Sequence, residues 1–274
     1  MKIRRRRILR KGGISRGVYI LPNLCTTGSL FCGFFAVIQI LKGDFVTASW
    51  VILLAGIFDL FDGQLARLTS GASQFGIEYD SLVDLASFGF APAILIYRFS
   101  LEEFNRVGWI VSFLFFACGA LRLARYNVQA EGEERRHFQG LPVPMAAYTL
   151  ATTVIFYDVL FESVAGKNVW ILCLTLALGL LMVSTIRYRN AKELHFSRRI
   201  SFFVLVAVAA AISFVAWRPA IMMWIVSIGY VLSGPMEELI YWVMNGKRLE
   251  NLPVEKKEKL EAADNHSPVR LLQK

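Results

Sequence analysis

At 274 residues, 55% of them hydrophobic, and with a mean hydropathy of +0.49, the chain is too apolar for an ordinary soluble domain. A formal charge of +9 would suit a nucleic-acid binder, but the basic residues fall between apolar runs and follow membrane sidedness, so no nucleic-acid partner is expected. Cys25, Cys32, Cys118 and Cys173 lie inside apolar runs without a C-x-x-C spacing, and His137, His195 and His266 are scattered. Packing, rather than a redox centre or a Cys/His metal site, accounts for them.

In chain order, a basic arm (1–17) carrying Arg4, Arg5, Arg6, Arg7, Arg10 and Lys11 comes first and is expected to lie against anionic lipid headgroups. Eight apolar runs follow, at about 18–41, 45–68, 79–99, 107–124, 144–161, 169–186, 200–217 and 221–244. Each approaches the roughly 20 residues that cross about 30 Å of hydrocarbon as helix. Because the runs recur along most of the chain, a cleaved signal peptide does not explain them. The expected architecture is an all-α, polytopic transmembrane bundle of about eight spans: a six-helix core over 18–187, two additional helices over 188–244, and a polar, disordered tail over 245–274. Gly140, Pro142 and Pro144 are expected to shape the loop that enters the fifth span. Glu237 and Glu238 in the last span have no role in this reading.

With the arm inside, 25 of the 30 basic residues fall on the cytoplasmic side and five (Lys42, Arg98, Arg106, Lys167, Arg218) on the other. That bias predicts a multi-pass protein of the cell membrane with both termini cytoplasmic.

The segment FDLFDGQLARLTSGASQFGIEYDSLVD joins the second span to the third and contains Asp59, Asp62, Asp80 and Asp84. Residues three or four apart share a helix face, so an antiparallel pair would present four carboxylates to one another. One acidic side chain within a span costs on the order of 2.5 to 3.5 kcal/mol, and clustered anions also repel. Arg67 offers one compensating charge. Hard divalent cations would neutralise the cluster better, and Mg²⁺ commonly shares carboxylate ligands with substrate phosphates. Salt bridges and caps explain one such aspartate well, but four at paired helical spacings poorly. Gly63 and Ala66 leave a helix surface without bulk, against which a base or ribose fits, although close helix packing also favours small residues. Gly71 and Gly76 suit the connecting turn.

Written out, the pattern is Asp59-x2-Asp62-Gly63-x2-Ala66-Arg67-x8-Gly76-x3-Asp80-x3-Asp84. It resembles the signature of the CDP-alcohol phosphotransferases at every fixed position. LPNLCTTGSLFCGFFAV, ALRLARYNVQ and FQGLPVPMAA are similar to segments of the phosphatidylserine synthases within that family. The resemblance implies CDP-diacylglycerol and L-serine as substrates and two Mg²⁺ or Mn²⁺ ions as cofactors. It implies metal ligation by Asp59, Asp62, Asp80 and Asp84, with Asp84 also the general base for the serine hydroxyl. It places Asn23, Thr26, Gly63, Ala66, Arg67 and Ser73 around the nucleotide. Because relatives are often dimers, it also suggests a homodimer.

For the serine carboxylate, Arg122, Arg125 and Asn127 at the cytoplasmic end of the fourth span are the candidates, although topogenic anchoring would place arginines there too. The nearest rival keeps the chemistry with another alcohol, such as glycerol 3-phosphate, inositol, choline or an archaeal-type lipid acceptor. A cation carrier or channel lined by the carboxylates is the reading from a different class.

Overall fold

The computed structural model describes residues 20–68, 74–130, 140–161, 166–186, 188 and 218–250. Every regular element among them is helical: α1 (Ile20–Lys42), α2 (Phe45–Leu68), α3 (Gln74–Phe104), α4 (Arg106–Ala130), α5 (Val143–Phe161), α6 (Val169–Val183) and α7 (Pro219–Glu250). All but α6 are long and apolar enough to cross a membrane. At 15 residues α6 is about 22 Å long and ends short of the expected 186, where Ser184 turns extended. The last helix departs the other way, continuing to Glu250 and so into the segment expected to be a tail. The arm 1–17, the expected seventh span 200–217 and residues 251–274 lie outside the described residues.

Local chemistry sets the helix ends. Gly43 (φ +83) closes α1: its N–H donates to the Ile40 carbonyl and that of Asp44 to Gln39, both at 3.0 Å, and the Asp44 carboxylate then caps α2 through the N–H of Thr47 at 3.0 Å. At the opposite end of the bundle Gly140 (φ +82) turns the chain into α5 with its backbone pressed against the Met182 carbonyl, a place where a β-carbon would overlap that oxygen. Its N–H donates to Ile186 at 2.9 Å.

Within α3 the backbone is regular from Gln74 to Asp84 and then widens to a π-turn over Leu85–Phe90, with the Ala91 N–H reaching back to Ala86. Pro92 follows at once; it has no N–H to donate and its ring crowds the preceding turn, a known cause of such a slip. The Ala93 carbonyl accepts from the Ser112 hydroxyl of α4 at 2.5 Å, which satisfies it within the apolar interior.

Helix α5 is the centre of the bundle, with Val143, Ala146, Ala147 and all of 149–155 buried, as expected for a helix apolar on every side. Its threonine hydroxyls turn back onto backbone carbonyls, Thr149 to Met145 at 2.8 Å and Thr153 to Thr149 at 2.6 Å, so they need no water. It packs against α2 on one side and α7 on another. Thr152 and Ser227 share a hydroxyl hydrogen bond of 3.0 Å, the Trp224 indole donates to Thr153 at 3.1 Å, and Trp224 stacks on Phe156 with centroids 4.3 Å apart.

Close approach of α1 to α3 depends on Gly33, where an added β-carbon would stand 2.6 Å from the Ser87 hydroxyl and 2.9 Å from its α-carbon. The Ser87 hydroxyl donates to the Ser29 carbonyl across this contact at 3.0 Å. Gly33→Ala is therefore expected to cost about 1–3 kcal/mol through overpacking. Gly229→Ala, whose β-carbon meets nothing within 4 Å, should not destabilise. Thermal unfolding of the two variants in detergent checks this; equal melting temperatures would contradict it.

Candidate active site

Alternation of the helices brings the start of α1, the end of α2, the start of α3 and the end of α4 to one end of the bundle, where Thr27 of α1 meets Tyr79 of α3 at 3.0 Å and Ser81 of α3 meets Asn127 of α4 at 3.1 Å. Into this end project the four aspartates. Asp59, Asp62 and Asp80 each bring a carboxylate oxygen within 4.8 Å of the other two. Asp84, one turn beyond Asp80, is hydrogen-bonded to Asp59 through its side chain, which closes the set across the two helices.

Asp62 is only 5% exposed. It accepts from the Thr26 hydroxyl and from the Gly63 backbone N–H, yet its Oδ2 is buried with no hydrogen-bond partner. An orphaned carboxylate oxygen among other carboxylates is a costly arrangement unless something cationic reaches it. Among the described residues no basic side chain lies within ion-pair distance of these four. Clustered hard oxygen donors of this kind fit a hard divalent cation such as Mg²⁺ or Mn²⁺.

A tyrosine forms one wall of the cluster. Gly56, one turn before Asp59, presents bare backbone to the Tyr148 hydroxyl, and a β-carbon at Gly56 would overlap the phenol oxygen. Phe88 holds the Tyr148 ring edge to face, with centroids 5.9 Å apart, and the hydroxyl faces Asp59 and Asp84. Tyr148 was not among the residues expected from the sequence. A glycine at one-turn spacing from an aspartate hinted at a close approach, but nothing identified what approaches.

The nucleotide candidates divide. Thr26 is buried and engaged with Asp62, Gly63 also serves Asp62, and Asn23 lies half-buried one turn before Thr27, which donates to the Asn23 carbonyl at 2.7 Å. The side chains of Ala66 and Arg67, and the whole of Ser73, lie outside the described residues. The acceptor candidates divide as well. Arg125 donates to the Val183 carbonyl at the end of α6 at 3.1 Å, and Asn127 is occupied by Ser81. Arg122 is the candidate within electrostatic range of a carboxylate, that of Asp84, and among the described residues its buried Nε has no hydrogen-bond partner.

The CDP-alcohol phosphatidyltransferase profile matches residues 19–183, which span α1 to α6 and all four aspartates. The chain belongs to that family. It is 37% identical to a CDP-diacylglycerol–serine O-phosphatidyltransferase of Helicobacter pylori over 72% of this chain and 83% of the relative. An archaetidylserine synthase of Methanothermobacter thermautotrophicus is 36% identical over 61% and 69%. A CDP-diacylglycerol–serine O-phosphatidyltransferase of Bacillus subtilis is 30% identical over 63% of this chain and 92% of its own. Membership makes the chain a membrane-embedded phospholipid-synthesising transferase, and six membrane-length helices agree with it.

Replacing Asp59 or Asp62 by Asn should weaken Mn²⁺ binding about tenfold or more, read directly by calorimetric titration of the purified protein. Unchanged titration curves in both variants would remove these residues from any metal site.

Proposed function

We propose that the protein transfers the phosphatidyl group of CDP-diacylglycerol to the hydroxyl of L-serine, giving phosphatidylserine and CMP. The observation that carries the chemistry is the convergence of Asp59, Asp62 and Asp80, with Asp84 joined to Asp59, at one end of the bundle. Support for the acceptor comes from the relatives, since the bacterial and archaeal proteins differ in the lipid their names specify but share serine.

In this reading the serine hydroxyl oxygen bonds to the phosphorus that carries diacylglycerol, the bond from that phosphorus to the CMP oxygen breaks, and the hydroxyl proton passes to Asp84. Asp59, Asp62, Asp80 and Asp84 would hold two Mg²⁺ or Mn²⁺ ions, which supply polarisation of the diphosphate and stabilisation of the departing phosphate. The nucleotide lies against the unbulky face at Gly63, within reach of Asn23 and Thr26, with Ala66, Arg67 and Ser73 completing its contacts. The serine carboxylate meets Arg122, whose buried Nε has no hydrogen-bond partner among the described residues. Asn127 and Arg125 instead hold α3 and α6 in place around it. The acyl chains remain in the bilayer and the polar cavity opens to the cytoplasm.

Purified protein given CDP-diacylglycerol and Mg²⁺ or Mn²⁺ should release CMP with L-serine and scarcely with glycerol 3-phosphate, inositol or choline. Turnover with one of those and none with serine would overturn the acceptor while leaving the aspartate chemistry standing; metal flux without CMP would favour a carrier. Asp84→Asn should abolish turnover and retain liponucleotide binding, and near-normal product formation would refute its role as base. Arg122→Ala should raise the serine KM by about tenfold or more, because a charged hydrogen-bond partner is lost.

Sidedness has its own test. In a variant without native cysteines, a cysteine at Gln139 should be labelled from the cytoplasm and one at Lys167 from outside. The reverse pattern would invert the orientation.

A further inference from the structure

The last carbonyls of α6 have no partners within their own helix, as at any helix C-terminus, and here other elements take them up. The Leu181 carbonyl accepts from the Leu141 N–H at 3.0 Å and from the Ser184 hydroxyl at 2.8 Å, and that of Val183 accepts from Arg125 of α4 at 3.1 Å. Past the extended turn at Ser184, the Ile186 carbonyl accepts from the Gly140 N–H at 2.9 Å. The chain leaving α6 is thus a strap joined to the end of α4 and to the entry of α5, at the end of the bundle that carries the aspartates. Its next described residue, Tyr188, reaches α7.

Helix α7 has a break where the strap meets it. Pro235 lies inside the helix and has no N–H, so the carbonyl four residues earlier, that of Val231, loses its regular donor. Val231 is buried, and a buried carbonyl without a partner is costly. The Tyr188 hydroxyl donates to that same carbonyl at 3.0 Å. The Tyr188 ring lies against bare backbone at Gly234, where any β-carbon would overlap it, and stacks on Tyr230 with centroids 5.8 Å apart. Trp224, Ser227, Val231 and Gly234 follow one another at helical spacing, so this contact continues the face by which Trp224 and Ser227 bond to Thr153 and Thr152 of α5.

We propose that the proline break in α7 is a docking socket for Tyr188. The phenol hydroxyl stands in for the N–H that Pro235 lacks, Gly234 makes room for the ring, and the strap so fastened holds α4, the entry of α5 and α7 to one another. Without the phenol, the break would leave a buried acceptor unpaired and a point at which the helix bends freely. With it, the Val231 carbonyl is satisfied when the strap is docked, which gives α7 one preferred seat on the core. The device uses none of the aspartates and is the same whichever alcohol is the acceptor.

The test uses the full-length protein purified in detergent. Tyr188→Phe keeps the ring and its stack and removes the hydroxyl. It should lower the melting temperature by about 2 °C or more, and speed hydrogen exchange at the Gly140 and Leu141 amides, which donate into the strap, about threefold or more. Pro235→Ala gives the Val231 carbonyl an N–H again, so adding Tyr188→Phe to that variant should change each quantity by less than about half as much. Unchanged melting temperature and exchange in Tyr188→Phe would overturn the inference. So would an equal effect of Tyr188→Phe with and without Pro235, which would make the hydroxyl ordinary packing unrelated to the break. A lower melting temperature with unaltered exchange at Gly140 and Leu141 would refute the strap.

Discussion

Four carboxylates held together at the end of an apolar helix bundle are the constraint on which the rest of this structure depends. In a low-dielectric interior such groups lose hydration and repel, and neither cost is removed by placing them near a helix end. The fold supplies partial relief: the Thr26 hydroxyl and the Gly63 N–H on Asp62, and the side-chain bond between Asp59 and Asp84. It does not supply all of it, because Asp62 Oδ2 is left without a donor. A bundle that brings these groups together and stops short of satisfying them favours a bound cation, which is the physical reason to propose a metal centre here rather than a salt-bridge network.

The position of the irregular turn in α3 follows from the same constraint. Each residue added to or removed from a helical turn rotates everything beyond it by about 100°. The widening at Leu85–Phe90 begins immediately after Asp84, so Asp80 and Asp84 remain on one face of regular helix, opposite Asp59 and Asp62. Had the slip fallen between them, one carboxylate would have been turned away from α2. Placed where it is, the turn re-aims the residues that follow: Ser87 toward the Ser29 carbonyl of α1, and Phe88 toward Tyr148 of α5. Such turns are frequent at functional sites, and Pro92 gives this one a covalent cause.

Much of this was legible in the sequence, for identifiable reasons. Hydropathy marks a membrane helix strongly, so the second span was read at 45–68 as observed, and the aspartate pairs could be assigned to shared faces because three and four residues are one helical turn. The charge on Arg125 looked equivalent to that on Arg122, and only the tertiary structure separates them, by giving Arg125 the Val183 carbonyl as a partner. Tyr148 was invisible as a neighbour of the cluster because it meets Gly56 across a contact between helices distant in the chain, and a tyrosine in an apolar run carries no local pattern that names its partner. The early stop of α6 was hidden because Ser184, Thr185 and Ile186 carry no charge that would mark an end; the helix ends at the extended turn of Ser184, after which Ile186 accepts from the Gly140 N–H and Tyr188 bonds to α7.

The site contains two unsatisfied groups of opposite character: an acceptor, Asp62 Oδ2, and a donor, Arg122 Nε. An unsatisfied buried polar atom costs about 1–3 kcal/mol, so each is a standing expense to the folded protein. Both belong to groups that interact electrostatically with Asp84, Asp62 on α2 and Arg122 on α4. On the proposed reading these vacancies match the two halves of the reaction, a cation with the diphosphate at the first and the acceptor's carboxylate at the second. The proposed base, Asp84, interacts with both groups, as a base would that takes the acceptor's proton while its hydroxyl approaches phosphorus. On that reading phosphoryl transfer from the liponucleotide is common to every acceptor, and only the acceptor half has to differ from one alcohol to the next.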